Sequence, residues 1–338
     1  MLLPEATRPR TKDLDRLLLK SKASSTSSRY LKEIEKFCSW CQLFRVAIAP
    51  PFSASLVLAY LSKVYLRSSS YSSVVLAHAT LKWFHELLPV STLNPLDSAP
   101  CQQLLEAAKR SKPPIHKKEP VTLDMIKEII DKHGSSSASL KDLHLAAICS
   151  IGFAGFFRYD ELSRMSPTHL EFFPDYLRIF VPKAKNDVYR EGNYVYIQRL
   201  NNQYCPVTTL ERYIKLGEIE TTSRDYNLLR QLRFSKKKNV YKLCGKGLSY
   251  SRCREIFKDC LKGLGYDEKK FGLHSLRSGG ATAAVINNPN LSERLLKLHG
   301  RWKSDIAKHM YILEQTQNRL SVTCNVGLKV DNVIASPE

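Results

Sequence analysis

No apolar run in the 338 residues approaches the roughly 18 needed to cross a bilayer, and no lipidation motif or targeting peptide is visible. Membrane work is excluded, and an intracellular address is expected, in the nucleus if the host is eukaryotic. The glycine-rich loop that cradles nucleotide phosphates is missing, as is any cluster of carboxylates spaced to hold divalent ions. Nucleotide-driven and metal-dependent chemistry lose their usual signatures, so neither metal nor cofactor is expected. The nine cysteines form no regular framework and follow no secretory signal, which fits a reducing compartment. Cys38 and Cys41 make a C-x-x-C, but inside a helical pattern with no second ligand pair, so core packing is the better reading. No repeat of fixed period occurs.

Acidic residues are the scarcest class relative to their opposites. The chain has 52 Lys and Arg against 32 Asp and Glu, a formal net charge of +20. Residues 1–115 hold 16 cations and 8 anions, leaving 36 and 24 for the remainder, so both halves are basic. Such a balance points to a polyanionic partner, with nucleic acid favoured.

Two domains are expected from the length. Residues 1–24 read as a flexible arm. From Ser25, apolar residues recur at helical spacing (Tyr30, Ile34, Phe37, Trp40, Cys41, Phe44) behind serines suited to capping, and two further serine-opened helices and a fourth, APCQQLLEAAKRS, complete an all-helical domain over 25–112. The stretch 113–119, within SKPPIHKKEP, has linker composition. Residues 120–325 form a second domain, mostly helical, and 326–338 a tail. Within it VTLDMIKEIIDKH has a Thr cap, LKDLHLAAICSIGFAGFF is a buried helix, YLRIFVP and NYVYIQ are strands joined by a charged hairpin, and five more helices follow.

Five regions bear chemistry. Arg158 comes directly after the buried helix, where a cation is costly unless paired, and a salt bridge to Glu161 or Asp160 is the structural alternative. Lys183 and Lys185 sit in the hairpin, where a flexible ammonium can deliver a proton to a leaving oxygen or serve solubility alone. His274 and Arg277 are three apart at the start of a helix, positioned for one phosphate near its N-terminal end. Trp302 offers an indole N–H and a packing surface. Tyr311 is one of sixteen tyrosines, and near neutral pH its phenol attacks phosphorus only where cations favour the phenolate.

The order of these residues resembles one family. R-x-x-E-L at Arg158–Leu162, a K-N-D hairpin at Lys185, H-x-x-R-x-G-G-A-T from His274, G-R-W ending at Trp302 and a tyrosine nine positions later resemble the tyrosine recombinase (phage integrase) signature. The step from Arg277 to Trp302 is a little longer than typical, and Asn287–Asn290 can absorb the excess. The resemblance covers about 120–320 by motif and 25–110 only by helical organisation. It implies a mainly α fold: an N-terminal helical core-binding (SAM-like) domain and a mostly α catalytic domain with a small sheet. It also implies a clamp on double-stranded DNA and self-assembly, normally a tetramer on two DNA sites, with the segment after Tyr311 docking on a neighbouring subunit. In that scheme Tyr311 forms a 3′-phosphotyrosyl bond, Arg158 and Arg277 hold the non-bridging oxygens, His274 and Trp302 add donors, and Lys185, with Lys183 as runner-up, protonates the 5′ oxygen. The hairpin and G-R-W step look more like eukaryotic mobile-element recombinases of the Crypton and DIRS-like groups. Two other readings stand beside this one, a recombinase-derived DNA-binding regulator that no longer cleaves and a type IB topoisomerase.

Overall fold

The computed structural model describes residues 19–48, 50–88, 93–114, 117–183, 191–223, 226–237 and 239–312. The chain divides into two compact units, 1–116 and 117–338.

The first unit is built from α1 (Ser24–Leu43), α2 (Ala54–Ser68), α3 (Tyr71–Glu86) and α4 (Ala99–Arg110). Phe37, Cys41, Val57, Tyr60, Leu61, Val74, Leu81 and Leu96 make its core. The predicted stripe on α1 is correct at Phe37 and Cys41 but overshoots at Phe44, the C-cap, which is 62% exposed. Cys41 is buried and both α1 cysteines are free thiols, in keeping with packing. The serines before α1 do not cap it, since Ala23 holds that position without a side-chain bond, whereas Ser53 does cap α2 by accepting from the Leu56 N–H at 3.2 Å.

In the second unit, α5 (Leu123–His133) is capped by Thr122, whose hydroxyl accepts from the Met125 N–H at 3.2 Å. It packs on α6 (Leu140–Ala154), which is buried from Leu143 to Gly152. A helix apolar all round belongs in a core centre, and α6 is the element that the rest of the unit surrounds. The short α7 (Tyr159–Ser163) follows. Strands β1 (Leu170–Phe172), β2 (Tyr176–Val181) and β3 (Asn193–Gln198) form an antiparallel sheet in which Ile179 pairs with Leu170 on one side and Val195 on the other. Alternate residues of β2, Leu177, Ile179 and Val181, face the core, as a period of two demands. Helix α8 (Pro206–Leu216) lies along α6. A second sheet, β4 (Arg230–Ser235) with β5 (Val240–Gly247), was not expected from the sequence, because its density of lysine and arginine disguises the alternation of Leu232 and Phe234 with Tyr241 and Leu243. Helices α9 (Tyr250–Gly263), α10 (His274–Asn287), α11 (Glu293–Gly300) and α12 (Asp305–His309) complete the described chain. The end of the stretch read as a linker is tied down: the Glu119 N–H donates to the Lys270 carbonyl at 2.9 Å, and the two side chains form an ion pair at 3.2 Å. No helix among the described residues is long and apolar enough to cross a membrane.

One core residue makes the fold sensitive to acid. His144 on α6 is 2% exposed, its ring stacks on Tyr213 at 5.4 Å, and its Nε2 has no partner among the described residues. Burial pulls its pKa from 6.5 down to about 4. Between those values the unfolded chain binds a proton that the folded chain refuses, so stability falls as pH drops, by about 3 kcal/mol in all. His144→Phe keeps the stacking and is expected to flatten the curve of stability against pH over that window in urea titrations. A curve unchanged in shape would show that His144 is solvated.

Candidate active site

The site is organised by the chain turn between α6 and α7. Phe156 takes a left-handed backbone conformation (φ 48°), rare for a side chain of that size. Its carbonyl is thereby turned to accept from two guanidinia, Nη1 of Arg277 and Nη2 of Arg301, the latter at 2.8 Å.

Glu161, one turn into α7, is the hub. Its carboxylate accepts from the Arg158 backbone N–H at 3.0 Å, from Arg158 Nη1 at 2.9 Å and from Arg301 Nη2 at 2.8 Å, with Arg277 Nη1 at 3.8 Å. Burial works to raise its pKa, but the Arg301 and Arg277 guanidinia and the Arg158 N–H outweigh it and hold the carboxyl below its ordinary value. The ion pair considered as the structural alternative for Arg158 is therefore present. It does not exhaust the charge, because three buried guanidinia face one carboxylate and leave an excess of two positive charges.

Arg277 lies one turn into α10 and is fully buried. Nη1 and Nη2 donate to the carbonyls of Phe156 and Gly300, which leaves Nε without a partner. Burial, then the repulsion of Arg158 and Arg301, presses its pKa down against the pull of Glu161 and Tyr311. Its guanidinium lies 4.8 Å from the Trp302 ring centre and 4.9 Å from that of Tyr311. Trp302 is 5% exposed, packs on Tyr311 with ring centres 5.5 Å apart, and has no acceptor for its indole N–H. An unmet buried donor costs on the order of 1–3 kcal/mol. Here the Nε of Arg277 and the Nε1 of Trp302, two such donors, flank a half-buried tyrosine.

Tyr311 follows α12, which is held against α11 by Lys308: its buried ammonium reaches Glu293 at 2.8 Å and Asp305 at 3.5 Å. His274 opens α10 and is exposed, sharing a helix face with Arg277 one turn on. Lys183 follows β2 and is half-buried, while Lys185 lies outside the described residues. Arg158, Arg277, Trp302 and Tyr311 are thus brought into one neighbourhood. His299 packs instead, its Nε2 bonded to the Ala154 carbonyl at 2.8 Å and its ring edge-on to Phe156.

Two residues of this network escaped the sequence reading. Arg301 is the C-cap of α11 in a left-handed conformation (φ 54°), its Nη1 and Nη2 engaged with backbone carbonyls and Glu161 and its Nε buried without a partner among the described residues. Lys308 gave one signal, an acidic residue three positions earlier. The glycines beside Arg277 are positions of close approach: a Cβ on Gly279 would collide with the Val121 carbonyl oxygen, and one on Gly280 with that of Phe153. Gly280 lets α10 approach α6 closely, and Gly279 lets it approach the segment that leads into α5.

The architecture is a tyrosine recombinase fold. No protein-family model matches the chain. An integrase/recombinase xerD homolog of Selenomonas ruminantium is 27% identical over 304 residues, covering 88% of this chain and 84% of the relative. Among solved structures, a XerH site-specific recombinase bound to palindromic difH substrate superposes with a TM-score of 0.58 at 12% identity, covering 95% of this chain and 86% of that one. A lambda integrase dimer bound to a COC′ core site gives 0.54 at 16%, covering 96% and 79%, and a Tn1549 transposon integrase with circular intermediate DNA gives 0.53 at 14%, covering 88% and 98%. These solved recombinases and integrases share the chain's fold, and the curated relative is an integrase/recombinase at 27% identity.

Proposed function

We propose that the protein performs site-specific DNA recombination, cleaving and rejoining duplex DNA through a 3′-phosphotyrosyl link at Tyr311. The observation that carries the assignment is the stacking of Tyr311 against Trp302 and the Arg277 guanidinium, beside a pocket with positive charge in excess and two buried donors unmet. A scissile phosphodiester supplies the missing negative charge and the missing acceptors together. Arg158 and Arg277 hold its non-bridging oxygens, His274 and Trp302 complete the donors, and the cations favour the phenolate as it attacks. The leaving 5′ oxygen takes its proton from Lys185 of the hairpin. Phosphate bond energy is kept in the protein–DNA link, so the reverse step with a 5′ hydroxyl of a second duplex completes exchange without nucleotide hydrolysis.

The domain assignment is 25–112 for core binding and 120–325 for catalysis. Assembly as a tetramer on two DNA sites has a physical counterpart in an apolar groove of about 930 Å³ in the second unit, lined by Leu123, Phe153, Tyr194, Tyr196, Leu295 and Leu298. It suits the C-terminal segment of a neighbouring copy. The relatives named above lend no support to the Crypton or DIRS-like subgroup, and the assignment stays at the family level.

The test is a set of nicked suicide substrates incubated in EDTA and resolved on denaturing gels. Wild type is expected to yield a covalent adduct and Tyr311→Phe none. DNA binding with no adduct on any substrate, the parent element's ends included, would favour the silent regulator. Supercoil relaxation by monomeric protein would favour the topoisomerase.

A further inference from the structure

Between Arg230 and Lys246 the sequence holds seven Lys and Arg and no Asp or Glu. The β4–β5 ribbon that contains them has two different faces. On one, Leu232 pairs with Leu243 and Phe234 with Tyr241, the two rings 5.1 Å apart, and the leucines pack on the core of the second unit. Because side chains alternate, this fixes which residues point away. Arg233 stands directly opposite Lys242 on the outer face, both exposed, and Lys246, also exposed, lies past a register irregularity near the end of β5. Lys236 and Lys237 are exposed in the connecting turn, which closes through Asn239 in a left-handed conformation (φ 52°).

Like charges directly opposed across a ribbon repel, and covering the core requires only the inner face. Surface cations elsewhere divide: Lys82, Arg164, Arg199 and Lys270 each have a carboxylate within ion-pair distance, while scattered ones such as Lys258 and Lys262 have none among the described residues. Among the described residues, none of Arg233, Lys236, Lys237, Lys242 and Lys246 has one either. Among the described residues the row therefore lacks a countercharge, and an anion from outside can supply it.

We propose that the outer face of the β4–β5 ribbon is a DNA-binding element that receives the phosphate backbone of duplex DNA, separate from the phosphate site around Arg277. It rests on the reading of the chain as a DNA-acting protein. Duplex DNA fits by charge and by form: it presents a continuous line of phosphates, and its major groove admits a two-stranded ribbon.

The experiment compares the full chain with Arg233→Gln/Lys236→Gln/Lys237→Gln/Lys242→Gln/Lys246→Gln, binding a labelled duplex by fluorescence anisotropy over a range of KCl concentrations. Each lost phosphate contact lowers the slope of log affinity against log salt by about 0.9, so the slope is expected to fall by about 4.5 if all five make contact, with at least tenfold weaker binding at low salt. Lys242→Gln/Lys246→Gln, less of a perturbation to folding, is expected to lower the slope by about 2. Identical slopes in wild type and both variants would overturn the proposal, as would unchanged duplex binding with loss of binding to an acidic peptide. The two readings fail separately. If wild type forms no adduct on any substrate while the slopes differ, the ribbon stands and recombination falls. If adduct forms and the slopes agree, the reverse holds.

Discussion

Arg277→Lys is expected to slow covalent adduct formation on the order of 10³-fold in single-turnover assays at saturating protein, a loss comparable to removing a positioned donor from a developing oxyanion. The charge is conserved in this substitution, so any large effect must come from geometry. A guanidinium reaches the Phe156 and Gly300 carbonyls at once, keeps Nε for a ligand, and presents flat faces to Trp302 and Tyr311. An ammonium is a point charge on a flexible stem and can satisfy only one of these demands well. DNA affinity is expected to change far less than the rate. A rate drop no greater than the drop in affinity would mean that Arg277 contributes charge alone.

Glu161→Gln is expected to destabilise the second unit by about 3–5 kcal/mol, measured as a shift in urea midpoint, because it strands buried guanidinia without a countercharge. Arg277 and Arg301 are both almost wholly buried, and neither can turn to water. The acid limb of the stability curve gives a second reading. The carboxyl's pKa is lowered in the fold, so its stabilisation is complete above the unfolded value and is lost as pH falls through the folded one. Wild type should show that descent and the variant should lack this part of it. Adding Arg301→Met to Glu161→Gln removes one stranded charge and is expected to recover part of the loss. A single-variant cost under about 1 kcal/mol would mean that the cluster is well hydrated.

Amphipathic helices were legible because period and caps agree, as at α5, where Thr122 and the stripe Met125, Ile126, Ile129 and Ile130 mark both start and face. The β4–β5 ribbon was not, since β4 has only two apolar residues and the cations and glycines around those of β5 read as a solvated loop. At the site, motif spacing singled out Arg158, Arg277, Trp302 and Tyr311, residues that are far apart in sequence and adjacent in space. What spacing could not convey is the second layer. Arg301 matters because a left-handed helix end returns its guanidinium to Glu161, 140 positions earlier. The unmet indole N–H of Trp302 likewise depends on the packing of Phe156 and Tyr311 around it.

The most direct measurement is to identify the residue that carries DNA. Adduct trapped on a suicide substrate in EDTA, digested with nuclease and trypsin, can be sequenced by mass spectrometry. The peptide from His309 to Arg319 contains a single tyrosine, and the account predicts the nucleotide mass on that peptide, at Tyr311. A nucleotide on any other tyrosine, or an adduct that persists in Tyr311→Phe, would contradict it.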